Sequence, residues 1–421
     1  MEKKNTITGV VKKELCTGCG TCISLCPQSA IKLIKDSVRG IYFPLIIETK
    51  CTNCGMCFDV CPGHSIDFIK LNIEIFKKKP KDIYFGNYLN CYIGYASNYG
   101  IRYNSSSGGL VTSFLIYALE NRIIDGALVT KMNKKNPLEF LPFIARTKEE
   151  IIEASKSKYC PVPANIALKE ILKYNKKYAI VGLPCHIQGI RKAEQKNKKI
   201  KKNIILHIGI FCSNMPSFNA TEFLLYKLKL CNDEVKRLDY RGKGWPGKMT
   251  IQMKNRKEII IPYPSYWGEF VNIFFPKRCK RCLDWFSPLA DISFGDAWLQ
   301  EISKRDNVGT SIIITRSKKS EEILQQFARK NKLIPINSKK VIESQKGFSR
   351  KKRQIKAQLT ILKLLGKRIW IKPSFTSLKP SLTDYISIIM YYALRVFTFN
   401  TFWLINTYCN ILKIIKKILG K

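Results

Sequence analysis

The sequence predicts an α+β protein: a small cysteine-rich N-terminal module, an α/β body behind it, and a C-terminal helical tail. Three observations support this. Two cysteine runs of identical spacing lie between Cys16 and Pro62. Between Gly108 and Ile210, apolar stretches of strand length alternate with stretches of helical periodicity. Beyond Phe348 the chain turns strongly basic and then strongly apolar. At 421 residues it is long enough for two or three domains. The expected divisions are 1–75 for the module, 84–165 and 166–345 for two parts of the body, and 346–421 for the tail.

The module rests on its cysteines. Cys16-Thr17-Gly18-Cys19-Gly20-Thr21-Cys22 leads to Cys26-Pro27, and Cys51-Thr52-Asn53-Cys54-Gly55-Met56-Cys57 leads to Cys61-Pro62. Both follow the C-x2-C-x2-C-x3-C-P pattern of bacterial ferredoxins. Three thiolates spaced by two residues in a tight loop can hold three corners of a cuboidal cluster. Gly18, Gly20 and Gly55 give the backbone room to bring amides near the sulfurs. In two-cluster ferredoxins the fourth cysteine of each run ligates the other cluster. By that rule Cys16, Cys19, Cys22 and Cys61 hold one [4Fe–4S] cluster, and Cys51, Cys54, Cys57 and Cys26 hold a second. A pair of zinc knuckles predicts neither the Cys-Pro endings nor the doubled run. Such a module relays single electrons, so the rest of the chain is expected to carry a redox centre or a docking surface. His64 reads as a surface or capping residue.

Composition bounds the partners. Lys and Arg number 73 against 31 Asp and Glu, a formal charge of +42. This excess favours acidic partners without choosing between nucleic acid, an anionic membrane and a phosphorylated or carboxylated ligand. Lys in an Ile- and Asn-rich background is equally the mark of a composition bias. No nucleic-acid-binding motif accompanies the charge, so no specific nucleic-acid partner is expected. The sixteen cysteines follow no apolar signal segment, since the chain opens Met1-Glu2-Lys3-Lys4-Asn5-Thr6. Clustered cysteines without a secretory signal point to metal binding in a reducing cytoplasm.

The body begins after a Lys-rich link at Phe76–Lys81. Asn104-Ser105-Ser106-Ser107-Gly108-Gly109 runs into Leu110, Val111, Phe114, Leu115, Ala118 and Leu119, apolar at helical spacing. A Ser/Gly loop feeding a helix N-terminus suits a phosphate, although it is also ordinary helix punctuation. Strands are expected at Gly126–Thr130, Tyr178–Gly182 and Asn203–Ile210. The last two break at Leu183-Pro184-Cys185-His186 and Phe211-Cys212-Ser213, which sets two cysteines at the C-terminal edge of a common sheet, where open α/β sheets build their sites. Cys279-Lys280-Arg281-Cys282 adds a C-x2-C pair on a basic loop. These four thiolates suit a third cluster or a zinc ion. Cys91, Cys160, Cys231 and Cys409 lack such context and read as buried packing.

Taken together, these pieces resemble the coenzyme F420 hydrogenase/dehydrogenase beta-subunit family, in a form with an N-terminal ferredoxin module. The matching residues are Ser106-Ser107-Gly108-Gly109, Ser157-Lys158-Tyr159, Gly182-Leu183-Pro184-Cys185, Phe211-Cys212 and Tyr240-Arg241. Cys279-x-x-Cys282-x-Asp284 and Ala290-Asp291-Ile292-Ser293-Phe294-Gly295-Asp296 complete the set. The resemblance implies a flavin-binding catalytic body: FAD beside a third [4Fe–4S] cluster held by Cys185, Cys212, Cys279 and Cys282. It also implies cofactor contacts at Ser107, Gly108, Gly109 and Lys158, and coenzyme F420 as a small-molecule electron acceptor or donor. His186 stands where Gln is commoner in the family. No Ser–His–Asp set or paired catalytic carboxylates argue for other chemistry, and catalytic acid/base residues stay unnamed.

Two functional classes follow. The first is an iron–sulfur flavoprotein oxidoreductase that takes electrons from a redox partner protein or ferredoxin. The alternative is a non-catalytic electron-transfer subunit docked to a partner enzyme, in surface-polysaccharide synthesis for some relatives. In the tail, Phe348–Lys372 is basic and Asp384–Leu419 apolar, with an uncharged stretch at Val396–Leu412. This allows a helix docked on the body, an interfacial helix making peripheral contact with the inner face of a membrane, or a short span.

Overall fold

The computed structural model describes residues 6–269, 274–366 and 379–396. In the N-terminal module, β1 (Ile31–Asp36) pairs antiparallel with β2 (Ile41–Ile46). Each cysteine run closes with a one-turn helix, Thr21–Ser24 in the first and Met56–Asp59 in the second. Gly20 and Gly55 precede these turns with φ of 85° and 76°, a left-handed conformation that glycine adopts without a Cβ penalty. The doubled sequence motif is therefore a doubled structural unit. Ile7, Val10, Ile23 and Ile31 pack around Cys22, Cys57 and Cys61.

The body is built on one eight-stranded sheet and a smaller three-stranded one. β3 (Cys91–Tyr95), β4 (Gly126–Met132), β5 (Phe140–Ala145), β6 (Tyr178–Gly182) and β7 (Ile204–Ile210) come first. β8 (Val235–Asp239), β9 (Lys248–Met253) and β10 (Glu258–Pro262) form a separate antiparallel sheet. β11 (Ile292–Asp296), β12 (Ser311–Thr315) and β13 (Lys332–Ile336) return to the large sheet, whose order is β13-β3-β12-β11-β7-β6-β4-β5. Its centre, β4, β6, β7 and β11, is parallel. The 84–165 and 166–345 segments thus share one sheet, with β3 of the first lying between β12 and β13 of the second.

The parallel centre explains the unbroken apolar runs at Tyr178–Gly182 and Ile204–Ile210, because strands covered on both faces need no polar alternation. Helices Leu110–Glu120 and Lys318–Ala328 cover one face, where Phe114 meets Phe327 edge-on at 5.5 Å. Ile187 and Ile190 of helix Pro184–Lys196 pack in the other core. Within this apolar frame lies one ionic network. His207 Nδ1 is 2.8 Å from Asp291 and its Nε2 is 2.7 Å from Glu194. Arg191 reaches the same two carboxylates at 3.1 and 3.0 Å.

The tail begins as helix Lys346–Leu364, against which helix Leu382–Val396 packs through Arg353–Asp384 at 3.1 Å. The Tyr391 hydroxyl donates to the Phe275 carbonyl at 3.1 Å, and Arg281 donates to the Tyr392 hydroxyl at 3.3 Å. The described part of the tail is therefore docked on the body. Among the described residues no helix is long and apolar enough to cross a membrane. The uncharged stretch from residue 397 onward, Cys409 included, lies outside the described residues. Cys91 and Cys160 are buried as expected, but Cys231 is exposed, because it follows a helix end on the surface instead of facing a core.

Candidate thiolate relay and its surroundings

Chain crossing in the module sorts its eight thiols into two sets. Burial pushes the Cys16 thiol up to about 12, with Cys19 and Cys61 adding to the push. Burial also raises Cys22, and Cys19, Cys16, Cys61 and Cys57 follow as neighbours. Cys57 is raised by burial and then by Cys26, Cys54 and Cys51. Cys61 thus sits with the first run and Cys26 with the second, and the sets touch through Cys22 and Cys57. Cys54 is exposed, so the second set is nearest solvent. Hydrogen bonds already reach the sulfurs: Gly18 N–H donates to Cys16 Sγ at 3.4 Å and Ala30 N–H to Cys26 Sγ at 3.2 Å. His64 is exposed, its ring tilted against Phe58 with centroids 3.7 Å apart, and its side chain belongs to neither set.

The third group forms at the C-terminal edge of the large sheet. Cys185 lies in the first turn of helix Pro184–Lys196 after β6, and Cys212 lies two residues after β7. Cys279 and Cys282 come from the short helix Lys277–Lys280 and the turn after it. Burial raises the Cys185 thiol far above the ordinary range, and Cys212, Cys19, Cys279 and Cys282 raise it further. Four thiols from three places in the chain therefore converge, and Cys19 of the module is among their neighbours. They line a small, partly open pocket together with Cys16, Tyr42, Pro161, Arg278, Asp284 and Lys351.

The spacing within these groups bears on what they can hold. One zinc ion draws four sulfurs to about 2.3 Å, and so to roughly 3.8 Å from one another. Among the described residues, no three Cys, His, Asp or Glu side chains converge tightly enough for one metal ion. In a cuboidal cluster each thiolate binds a different iron, and the sulfurs stand further apart. Four thiols at one sheet edge are a donor set that either a cluster or a zinc ion can use.

Around the third group, Lys351 and Arg278 carried no sequence signal, whereas Asp284 and His186 lie in the motifs noted above. Lys351, from the tail helix, donates through Nζ to the Ser213 carbonyl and lies in the field of Cys212 and Cys279. Arg278 reaches the Pro62 carbonyl at 3.4 Å, bridging to the module. Asp284 accepts from Gln188 Nε2 at 2.6 Å and from Ser287 N–H at 3.1 Å, while burial pushes its carboxyl up to about 6. The His186 ring turns back onto its own helix start, where Nδ1 accepts from Leu183 N–H at 3.2 Å. Only its place in the first turn of that helix hints at this cap.

The Ser/Gly loop lies at the same sheet edge. Ser107 Oγ donates to the Thr310 carbonyl at 3.0 Å, and Gly108 N–H donates to Ser311 Oγ at 2.9 Å. Ser311 pairs in register with Asp296 at the end of β11. A Cβ on Gly108 would lie 2.7 Å from the Gly94 carbonyl, and Gly109 has φ +74°, so packing alone demands both glycines. Ser157 N–H donates to Ser106 Oγ at 2.7 Å, which ties the Ser157-Lys158-Tyr159 segment to the loop. Lys158 Nζ is taken up by the carbonyls of Ala154, Ser155 and Lys156, the last two at 2.6 and 2.9 Å. Burial pushes its pKa down to about 7. Arg241, buried, donates to Asp296 at 2.7 Å and has Tyr263 under its guanidinium at 4.7 Å. The motifs scattered along the sequence thus meet at one edge of one sheet.

Comparison with known proteins assigns the module and the body to known families. Residues 91–169 match the family described as coenzyme F420 hydrogenase/dehydrogenase, beta subunit N-term, and residues 175–339 its C terminus. Residues 15–66 match the 4Fe-4S dicluster domain. The coenzyme F420 hydrogenase subunit beta of Methanothermobacter thermautotrophicus is 30% identical over 233 residues, covering 53% of this chain and 75% of that one. The coenzyme F420-dependent sulfite reductase of Methanocaldococcus jannaschii is 27% identical over 337 residues, 75% of this chain and 46% of that one. In fold, a chain of the F420-reducing [NiFe] hydrogenase complex from Methanosarcina barkeri superposes with a TM-score of 0.52. It is 21% identical and is covered to 95%, against 66% of this chain.

Proposed function

Because the chain belongs to the coenzyme F420 hydrogenase/dehydrogenase beta-subunit family and carries a 4Fe–4S dicluster domain, we propose that it is a three-cluster iron–sulfur flavoprotein oxidoreductase. At the coarser level it is an iron–sulfur electron-transfer oxidoreductase subunit, of the kind found in F420-dependent enzymes. The finer reading adds a third [4Fe–4S] cluster on Cys185, Cys212, Cys279 and Cys282, FAD beside it, and coenzyme F420 or another small molecule as acceptor or donor. The observation that carries it is the meeting of these four thiols at the sheet edge with Cys19 as their neighbour.

The chain's own residues would then act as follows. The solvent-near set of Cys51, Cys54, Cys57 and Cys26 faces a redox partner protein. The set of Cys16, Cys19, Cys22 and Cys61 lies between it and the third. Burial shields Cys19, Cys22 and Cys61 from water, and amides aimed at sulfur tune cluster potentials. FAD, when bound, would interconvert electron pairs and single electrons. For its phosphates the first-turn amides of helix Leu110–Glu120 are the fitting donors, since helix geometry leaves them without intrahelical acceptors. The Ser107 hydroxyl, the Gly108 amide and the Lys158 ammonium are committed to protein oxygens, which favours the alternative of a carrier subunit without flavin.

The test is an anaerobic assay of the purified full chain with reduced ferredoxin and coenzyme F420. Bleaching of a bound flavin together with deazaflavin reduction is expected. Reduction of the iron–sulfur chromophores with no flavin and no deazaflavin turnover would select the carrier subunit.

A second outcome concerns Lys351. Its positive charge beside Cys212 and Cys279 stabilises a reduced, more negative cluster. Lys351→Met is expected to move the third cluster's potential negative by on the order of 59 mV, a tenfold change in a one-electron equilibrium. Iron content should hold. An unchanged potential in an EPR-monitored redox titration would assign Lys351 to packing alone.

A further inference from the structure

One asparagine stands between the module and the third thiol group, and its bonds reach both. Asn165 N–H donates to the Cys19 carbonyl at 2.9 Å. Its side-chain Nδ2 donates to Thr21 Oγ1 at 2.7 Å and to the His186 carbonyl at 2.9 Å. Thr21 Oγ1 in turn lies 3.3 Å from Cys19 Sγ. His186 is the residue after Cys185. A continuous path therefore runs from the Cys19 sulfur through Thr21 and Asn165 to the backbone beside Cys185. Asn165 is 1% exposed and Thr21 0%, so no water competes along it.

The surroundings hold this contact at close range. A Cβ on Gly189 would meet Thr21 Oγ1 at 2.3 Å and Asn165 Nδ2 at 3.2 Å. A Cβ on Gly20 would meet Ile166 Cγ1 at 2.7 Å. Ser24 Oγ donates to the carbonyls of Asn165 and Ile166 at 2.6 and 3.0 Å, pinning the turn from the module side. Two missing side chains and a set of directed bonds thus bring Thr21 of the module within 2.7 Å of the body at Asn165. Welding the module to the body needs none of this at Cys19, because Lys192 to the Cys61 and Ser65 carbonyls at 2.9 Å and Phe218 to Gly40 at 2.8 Å already do it elsewhere.

We propose that Asn165 is the positioning residue that sets the rate of electron exchange between the Cys16/Cys19/Cys22/Cys61 set and the Cys185/Cys212/Cys279/Cys282 set. The inference rests on the cluster assignment proposed above. The step moves one electron: the donor site is oxidised by one, the acceptor site is reduced by one, and no bond or proton changes place. A low-potential one-electron reductant supplies the electron at the module end.

The experiment uses the full chain, purified anaerobically, as wild type, Asn165→Leu and Thr21→Val. Iron per chain and each cluster's potential are measured first. Freeze-quench EPR after photoreduction then follows the third site, and the spin–spin splitting of the fully reduced protein reports the spacing. Asn165→Leu is expected to slow the exchange several-fold, since it breaks the hydrogen-bonded path from Thr21 to the His186 backbone. Its splitting should narrow while the potentials stay put. Thr21→Val, which keeps volume and loses only the hydroxyl, should slow the exchange to a smaller extent. It decides the matter if Asn165→Leu loads poorly. Unchanged exchange and splitting in a fully loaded variant would overturn the inference alone. Wild-type protein with about eight irons in place of about twelve would overturn the cluster assignment and this inference with it.

Discussion

Cys212→Ala is expected to lower the iron content from about twelve to about eight per chain and to stop electrons at the module. The thiol lies two residues beyond β7, in a loop held by Cys212 N–H on the Trp285 carbonyl at 3.0 Å and Phe211 N–H on the Phe294 carbonyl at 2.8 Å. Backbone bonds keep that loop in place without the sulfur, so under the proposed assignment the substitution removes a ligand and leaves the scaffold. The module's two thiol sets contain no residue from β7 or its loop, and their clusters should load and reduce normally. What is lost is the step toward any flavin or deazaflavin. Iron analysis together with EPR of the dithionite-reduced variant checks this. Full iron content in Cys212→Ala would mean that Cys212 is not a ligand.

The second large effect is on stability. Arg191→Met should destabilise the fold by about 3–5 kcal/mol near neutral pH, the usual cost of breaking a buried ionic network by removing one member. Arg191, Glu194 and His207 are all under 10% exposed. Burial opposes ionisation of Glu194 and Asp291, yet Arg191 and His207 more than offset it and hold both below the carboxylate range. Burial and Arg191 oppose protonation of His207, yet Glu194 and Asp291 hold its pKa above the ordinary value. The raised His207 contributes stability that is complete below about pH 6.5 and lost as pH rises through its folded value. The depressed carboxylates contribute above about pH 4.5 and lose it as pH falls through theirs. The wild-type network should therefore be most stabilising between about pH 4.5 and 6.5. Without Arg191 both carboxylates rise, so the loss is greatest where they are ionised and shrinks toward acid. Denaturant unfolding of wild type and variant across this range checks the sign. A loss that grows toward acid would contradict it.

Much of this was legible because chemistry sat in local patterns. The paired C-x2-C-x2-C-x3-C-P runs marked the module, and the apolar runs at Tyr178–Gly182 and Asn203–Ile210 became β6 and β7. The Ser/Gly loop was found on its helix. Its local pattern could not reveal that Ser107 and Gly108 would spend their donors on Thr310 and Ser311, some two hundred residues away. Lys158 likewise looks like a free charge in sequence, and only the fold shows its ammonium caught by three carbonyls. Lys351 and Asn165 were invisible for the same reason. Each is one polar residue whose partners come from another part of the chain, and no periodicity or spacing marks it.

The most direct test of a relay of three clusters is the metal, sulfide and flavin content of the anaerobically purified wild-type chain. About twelve irons with matching sulfide, no zinc and about one FAD per chain is the expected result. About eight irons, about one zinc at Cys185, Cys212, Cys279 and Cys282, and no flavin would contradict it.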